Sequence, residues 1–249
     1  MSTIRINCWG GLGNVLWQWK AIREQWKASN VEHCELICSQ DRCKELGSLW
    51  LQLPVTPYSG TEPLREIRWY QSPNNLLPPD AYKELIKPDV FSLEPCAAVK
   101  EAKLVIHVRW GDFAISPPHQ KSRQTFDAIM DSMRRLPLPG INAKDVVIVT
   151  DDVKAVKAAF SFPATVVTSK DPRMNWVNML YAKNLIISPG STFSWWAGYL
   201  GKHDNVFLPV GTWPCDFGYL ANDPTSSQTS YELVPPKEWR TCAWHCSNT

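Results

Sequence analysis

The chain has 249 residues with 44% hydrophobic and 11% aromatic content, 26 basic against 24 acidic side chains, and a net charge of +2. These values exclude a disordered polymer and supply no electrostatic footprint for nucleic acid or an anionic membrane surface, so any anionic ligand must be gripped locally. No run approaches the roughly 18–20 apolar residues that span a bilayer. Met1 to Asn7 also lacks the apolar core of a signal peptide, which reads as a cytoplasmic protein.

The first predicted element is an apolar strand, Ile4 to Trp9, which runs into Gly10-Gly11-Leu12-Gly13-Asn14. Val15, Trp19, Ile22 and Trp26 follow at spacings of four, three and four, which is a helical period. A strand at Glu35 to Cys38 and a helix at Asp41 to Trp50 complete the start of an α/β unit. Between Leu53 and Pro95 strand and helix signals are both weak, and the 20 prolines of the chain predict short connections there.

From Lys103 the alternation is regular. Strands are expected at Lys103–Arg109, Asp145–Thr150, Ala164–Thr168, Asn184–Ser188 and Asn205–Leu208, with helices at Gln124–Leu136, Asp152–Phe160, Pro172–Lys183 and Ser191–Leu200. Uninterrupted apolar strands such as Val146-Val147-Ile148-Val149 point to a parallel sheet covered on both faces. The predicted organisation is a smaller N-terminal α/β lobe, residues 1–100, and a larger doubly wound lobe, residues 101–249, that ends in a Pro/Trp-rich tail. Ligands of such sheets sit beyond the carboxyl ends of the strands, so motifs at strand ends carry the functional reading.

Four such places stand out. Alternation along Leu104 to Arg109 puts Val105, His107 and Arg109 on one face, with Asp112 three residues on across Gly111. Arg109 at a strand end either grips a phosphate with paired N–H groups or forms a loop ion pair with Asp112, and His107 either reads a base or ribose or is a satisfied core histidine. The turn before Ser191-Thr192-Phe193-Ser194-Trp195-Trp196 opens a helix; it is an anion site, an N-cap, or both. In the N-terminal turn Gly11 and Gly13 let backbone approach a ligand while Asn14 can donate to a phosphate or sugar oxygen, although the spacing matches neither a dinucleotide fingerprint nor a P-loop. At the end of the strand after Val149, Asp151 or Asp152 can accept from a ribose hydroxyl, and one of the two suits the N-cap of the next helix.

Other chemistries find little support. Adjacent carboxylates lack the one-residue separation usual in metal-holding sugar transferases, so no metal is expected. Cys242, His245 and Cys246 in the tail lack a fourth zinc ligand. The eight cysteines include no Cys-x-x-Cys pair and are expected to be mostly reduced and structural. The 13 tryptophans read chiefly as core anchors, each burying on the order of 200 Å², with a minority free to face a sugar. No nucleophile elbow, zincin helix or kinase motif set occurs.

Taken in order, Gly10-Gly11-Leu12-Gly13-Asn14, His107-Val108-Arg109-Trp110-Gly111-Asp112-Phe113, Thr150-Asp151-Asp152 and Ser191-Thr192-Phe193-Ser194-Trp195-Trp196 resemble the motif series of the α-1,2-fucosyltransferases. That resemblance implies a GT-B fold of two Rossmann-like lobes with a cleft between them, and inverting, metal-independent transfer of fucose from GDP-fucose to a glycan hydroxyl, the 2-OH of a galactose-like residue. It implies no separate cofactor, and as partners only the nucleotide sugar and its acceptor. By position, His107 would help read guanine, Arg109 would hold the β-phosphate and stabilise departing GDP, and Asp112 would order the loop, with Asp112 and His119 as candidate bases. Ser191, Thr192, Phe193 and Asn14 would supply further donors to the phosphate. Trp110 stands where a second arginine is common, Asn175 where the wider group carries a guanine-accepting acid, and Pro189-Gly190 where an asparagine is usual. These departures keep two alternatives open: the same scaffold with another nucleotide sugar, and a non-catalytic glycan- or nucleotide-binding module. A nicotinamide-dependent oxidoreductase, permitted by the doubly wound pattern, lacks the glycine fingerprint.

Overall fold

The computed structural model describes residues 3–7, 10–27, 33–52, 55–57, 78–111, 140–159, 163–188, 191–209 and 240–242. The expected helix at 124–136, together with Asp112, His119, Pro189, Gly190, His245 and Cys246, lies outside these residues. Backbone contacts divide the chain into Met1–Glu94 and Pro95–Thr249.

In the first unit β1 (Thr3–Asn7), β2 (His33–Cys38) and β3 (Val55–Pro57) form a parallel sheet in the order β1-β2-β3. Between β1 and β2 runs α1 (Leu12–Lys27). Gly10 turns the chain into it with a φ of +80°, and a Cβ there would also collide with the Asn14 side chain, so only glycine fits. The Gly11 carbonyl accepts from Asn14 N (3.0 Å) and Val15 N (3.2 Å), which starts the helix.

The single helix expected at 41–50 is in fact α2 (Gln40–Glu45) running into a π-turn, Leu46–Trp50, closed by the Leu51 amide on the Leu46 carbonyl (2.8 Å). Widening of the helix around Gly47 leaves Leu46, Trp50 and Leu51 all buried. In the proline-rich stretch α3 (Pro79–Lys83) and α4 (Pro88–Phe91) each begin with proline at the first helical position, where its missing N–H costs nothing.

The second unit opens with α5 (Ala97–Glu101) and β4 (Leu104–Val108). There follow β5 (Val146–Thr150), α6 (Val153–Ala159), β6 (Thr165–Val167), α7 (Pro172–Leu180), β7 (Asn184–Ile186), α8 (Thr192–Leu200), β8 (Asn205–Pro209) and β9 (Arg240–Cys242). Every described strand and α-helix from β4 to β8 falls where the alternation of the sequence puts it, and a short 3-10 turn, Ala143–Asp145, precedes β5. β9, for which the sequence pattern gave no strand, lies in the Pro/Trp-rich tail and pairs with β8.

All six strands are parallel, in the order β6-β5-β4-β7-β8-β9. This is the doubly wound order, and its direction of winding reverses between β4 and β7. Leu104, Ile106 and Val108 pack with Val146, Ile148, Val156, Ile186 and Phe207, and Trp110 joins that cluster. His107 therefore faces the other way, as alternation requires. At the amino ends of the strands Asn184 donates to the Lys103 carbonyl (2.7 Å) and accepts from Asn205 (2.7 Å), which ties β4, β7 and β8 in register. Trp17, Trp50, Trp176, Trp195 and Trp196 are all under 2% exposed, so the core-anchor reading holds for them.

Candidate functional site

The switch point between β4 and β7 is where the two strongest strand-end motifs meet. β4 ends at Val108, and the Arg109 amide donates to the Ser188 hydroxyl (3.1 Å), two residues beyond the end of β7. From Ser188 the chain turns into α8. Ser191 is its N-cap and its hydroxyl accepts from Ser194 N (3.4 Å), while its own amide donates to the Ser188 carbonyl (3.1 Å). Ser194 Oγ accepts from Ser188 N (3.2 Å) and donates to the Ser191 carbonyl (3.4 Å). Ser188, Ser191, Thr192 and Ser194 are all buried.

These bonds make Ser191 the N-cap of α8. They also place the first turn of α8, whose N–H groups carry the positive end of the helix dipole, beside the end of the arginine strand. Phe193, in that first turn, lies with its ring 6.4 Å from the His107 imidazole, and its carbonyl accepts from Trp176 Nε1 (3.2 Å). Behind it Trp195 meets Trp196 edge-on at 5.1 Å and stacks on Tyr199 at 5.4 Å, so the turn rests on a rigid aromatic base.

His107 is 5% exposed and, among the described residues, its Nδ1 has no hydrogen-bond partner. Burial, reinforced by the Arg109 charge, pushes its pKa down to about 3. The ring is accordingly neutral at physiological pH, with a polar atom unspent. A satisfied core histidine would have used it.

The loop after β4 is held from β5. Asp151 Oδ1 accepts from the amides of Trp110 (2.8 Å) and Gly111 (3.1 Å). The carboxylate lies so close to Gly111 that a Cβ there would sit 3.0 Å from Oδ2. Asp152 caps α6, accepting from Ala155 N (2.9 Å). Of the adjacent carboxylates, one is the expected cap. The other spends one oxygen on the loop that follows Arg109, a task the resemblance assigned to Asp112. Trp110 packs with the cluster on the face opposite His107.

Asn175, in the first half of α7, donates through Nδ2 to the Ser169 carbonyl (3.2 Å), which fixes the amide so that Oδ1 is the free end. That oxygen is buried and has no hydrogen-bond partner among the described residues. Gly11, Gly13 and Asn14 all belong to the start of α1 in the first unit. Ser188, Ser194 and the loop-holding role of Asp151 are contacts of the candidate site that the motif pattern did not reveal. For Ser188 and Asp151 the one signal was a hydroxyl or carboxylate directly after an apolar strand, whereas Ser194 lies inside α8 and carried none. Among the described residues no cluster of three or more metal-ligating side chains occurs, and no helix is long and apolar enough to cross a membrane.

A strand-end arginine and a capped helix turn at the switch point of a doubly wound sheet are chemically suited to holding an anion. Residues 93–224 match the model of Glycosyl transferase family 11, and the chain belongs to that family; it is a glycosyltransferase. No curated protein matches the chain.

Solved structures similar to it include the following three. The NodZ alpha-1,6-fucosyltransferase co-crystallised with GDP is 11% identical with a TM-score of 0.45, covering 80% of this chain and 92% of its own. The same enzyme soaked with GDP-fucose is 11% identical with a TM-score of 0.44 over the same shares. The dodecameric iron-containing heptosyltransferase TibC, in complex with ADP-D-beta-D-heptose, is 12% identical with a TM-score of 0.43, covering 83% of this chain and 57% of its own.

Proposed function

We propose that the protein is an inverting, metal-independent fucosyltransferase of GT-B architecture that moves L-fucose from GDP-β-L-fucose to a sugar hydroxyl, the 2-OH of a galactose-like residue. The observation that carries this reading is the 3.1 Å bond from the Arg109 amide to Ser188, which sets the arginine next to the α8 turn. In such a transfer the acceptor oxygen bonds to the anomeric carbon as the carbon–oxygen bond to the β-phosphate breaks, and GDP leaves with the electron pair. The sugar becomes oxocarbenium-like, so the barrier falls most where the developing diphosphate charge meets preorganised donors.

In this reading Arg109 and the Ser191-Thr192-Phe193 turn hold the β-phosphate, neutral His107 and the Asn175 carbonyl oxygen face the base, and the free Asp151 oxygen is left for ribose. Asp112 takes the proton of the acceptor hydroxyl. Supporting it are family membership and, among the described residues, the neutral unpartnered His107 and the unpartnered Asn175 oxygen. A second reading, the same scaffold with another nucleotide sugar, is favoured by one observation: an amide accepts one hydrogen bond less firmly than the acid it replaces. A thermal-shift comparison of GDP, UDP and ADP, followed by transfer assays with GDP-fucose and galactose-terminated acceptors, separates the two. Stabilisation by GDP with transfer supports the first, and stabilisation by UDP or ADP alone refutes it.

A further inference from the structure

We infer that Ser188 is a positioning residue whose hydroxyl couples the arginine strand to the helix turn that its backbone holds. The inference rests on the nucleotide-sugar reading above. Ladder pairing between β4 and β7 stops at Ile106 and Ile186, leaving the Arg109 amide beyond the last strand partner. A backbone N–H at that depth needs an acceptor, and Ser188 Oγ takes the place a strand carbonyl would have filled. The same residue's amide is bound by Ser194 Oγ and its carbonyl by Ser191 N, both in or at the first turn of α8. One residue that is only 4% exposed thus carries a bond to Arg109 through its side chain and two bonds to the α8 turn through its backbone.

A hydroxyl at this depth, directly after the apolar run Leu185-Ile186-Ile187, is costly to desolvate unless its bond is made, whereas an apolar residue of similar size would suit packing alone. The reaction is sensitive to this coupling because leaving-group stabilisation needs the guanidinium and the helix amides on one diphosphate at once. A shift of about 1 Å in one relative to the other costs on the order of a hundredfold in rate.

The test uses the full chain with Ser188→Thr and Ser188→Val, which are equal in shape and differ in the hydroxyl. Two quantities are read: kcat and KM with GDP-fucose, and backbone amide exchange at Arg109 in the ligand-free protein. Ser188→Val is expected to lower kcat about tenfold or more with a smaller change in KM, and to speed Arg109 amide exchange about tenfold, while Ser188→Thr restores most of both. Equal values for the two variants overturn the inference. If the wild type does not turn over GDP-fucose, the donor reading fails, and amide exchange alone then decides: faster exchange in Ser188→Val upholds the coupling and equal exchange ends it. Should Ser188→Val not fold, Ser188→Ala is judged by the same two measures.

Discussion

Acidification provides the most quantitative check on the site, because His107 is buried in its neutral form. Its pKa falls from the ordinary 6.5 to about 3 on folding, through burial first and the nearby Arg109 charge second. An unfolded chain takes up the proton well before the folded one does, so the unfolded state binds more protons between those values and stability falls as the pH is lowered. The contribution is fully present above pH 6.5 and is lost progressively toward pH 3. At about 1.36 kcal/mol per pH unit the whole effect is about 4–5 kcal/mol, and about 2–3 kcal/mol of it is lost between about pH 7.5 and pH 4.5.

That interval lies above the range in which Asp145 and Asp171 titrate, both lowered from 3.8 by their hydrogen-bonding partners. His203 is also lowered, chiefly by burial, and titrates in the same direction. The clean quantity is therefore the difference between the wild type and His107→Gln, which removes the titration and keeps a neutral polar side chain. Urea denaturation at pH steps from about 7.5 to about 4.5 should show the wild type losing about 2–3 kcal/mol more than the variant, or about 5–10 °C in Tm. A difference that stays constant across the interval would mean that His107 is not buried neutral, and the description of the site would fail with it.

Arg109→Ala should leave the fold intact while lowering kcat by about 10²–10³, as measured by initial rates alongside circular dichroism; near-wild-type turnover would remove the arginine from the leaving-group role. Asp151→Ala leaves the amides of Trp110 and Gly111 without their acceptor and should cost about 1 kcal/mol in denaturant melts, with a clear loss of turnover as the loop after Arg109 loosens. A variant that is less stable but fully active would confine Asp151 to a structural part. Asn184→Ala is the opposite case: it breaks the tie among β4, β7 and β8 at their amino ends and should cost about 1–3 kcal/mol while kcat and KM are unchanged. Altered kinetics in that variant would show that the two ends of the sheet are coupled.

Local patterning made much of the second unit legible. Alternation along Leu104 to Arg109 set His107 apart from the core-facing residues, and the apolar run before Ser191 announced a strand feeding a helix turn. What the pattern lacked was neighbourhood. Asp151 reaches the loop after β4 because Val108 lies opposite Thr150 in the ladder, and Ser188 reaches Arg109 because β7 lies on the other side of β4. Neither adjacency is encoded near the residue that profits from it. The π-turn at Leu46–Trp50 was hidden for another reason: its periodicity is close to that of an ordinary helix, and only the hydrogen bond from Leu51 to Leu46 distinguishes it. For β9, three residues are too few to carry a periodic signal, and their strand character exists only through pairing with β8.

That last strand has a consequence for biosynthesis. The other five members of its sheet are encoded by residue 209, yet the lateral hydrogen-bonding groups of Asn205–Pro209 on one side wait for Arg240–Cys242 to emerge. A nascent or truncated polypeptide that stops short of residue 240 exposes that flank as a template for another molecule's backbone. Shortened versions of the chain are thus expected to fail by self-association rather than by loss of the switch-point chemistry.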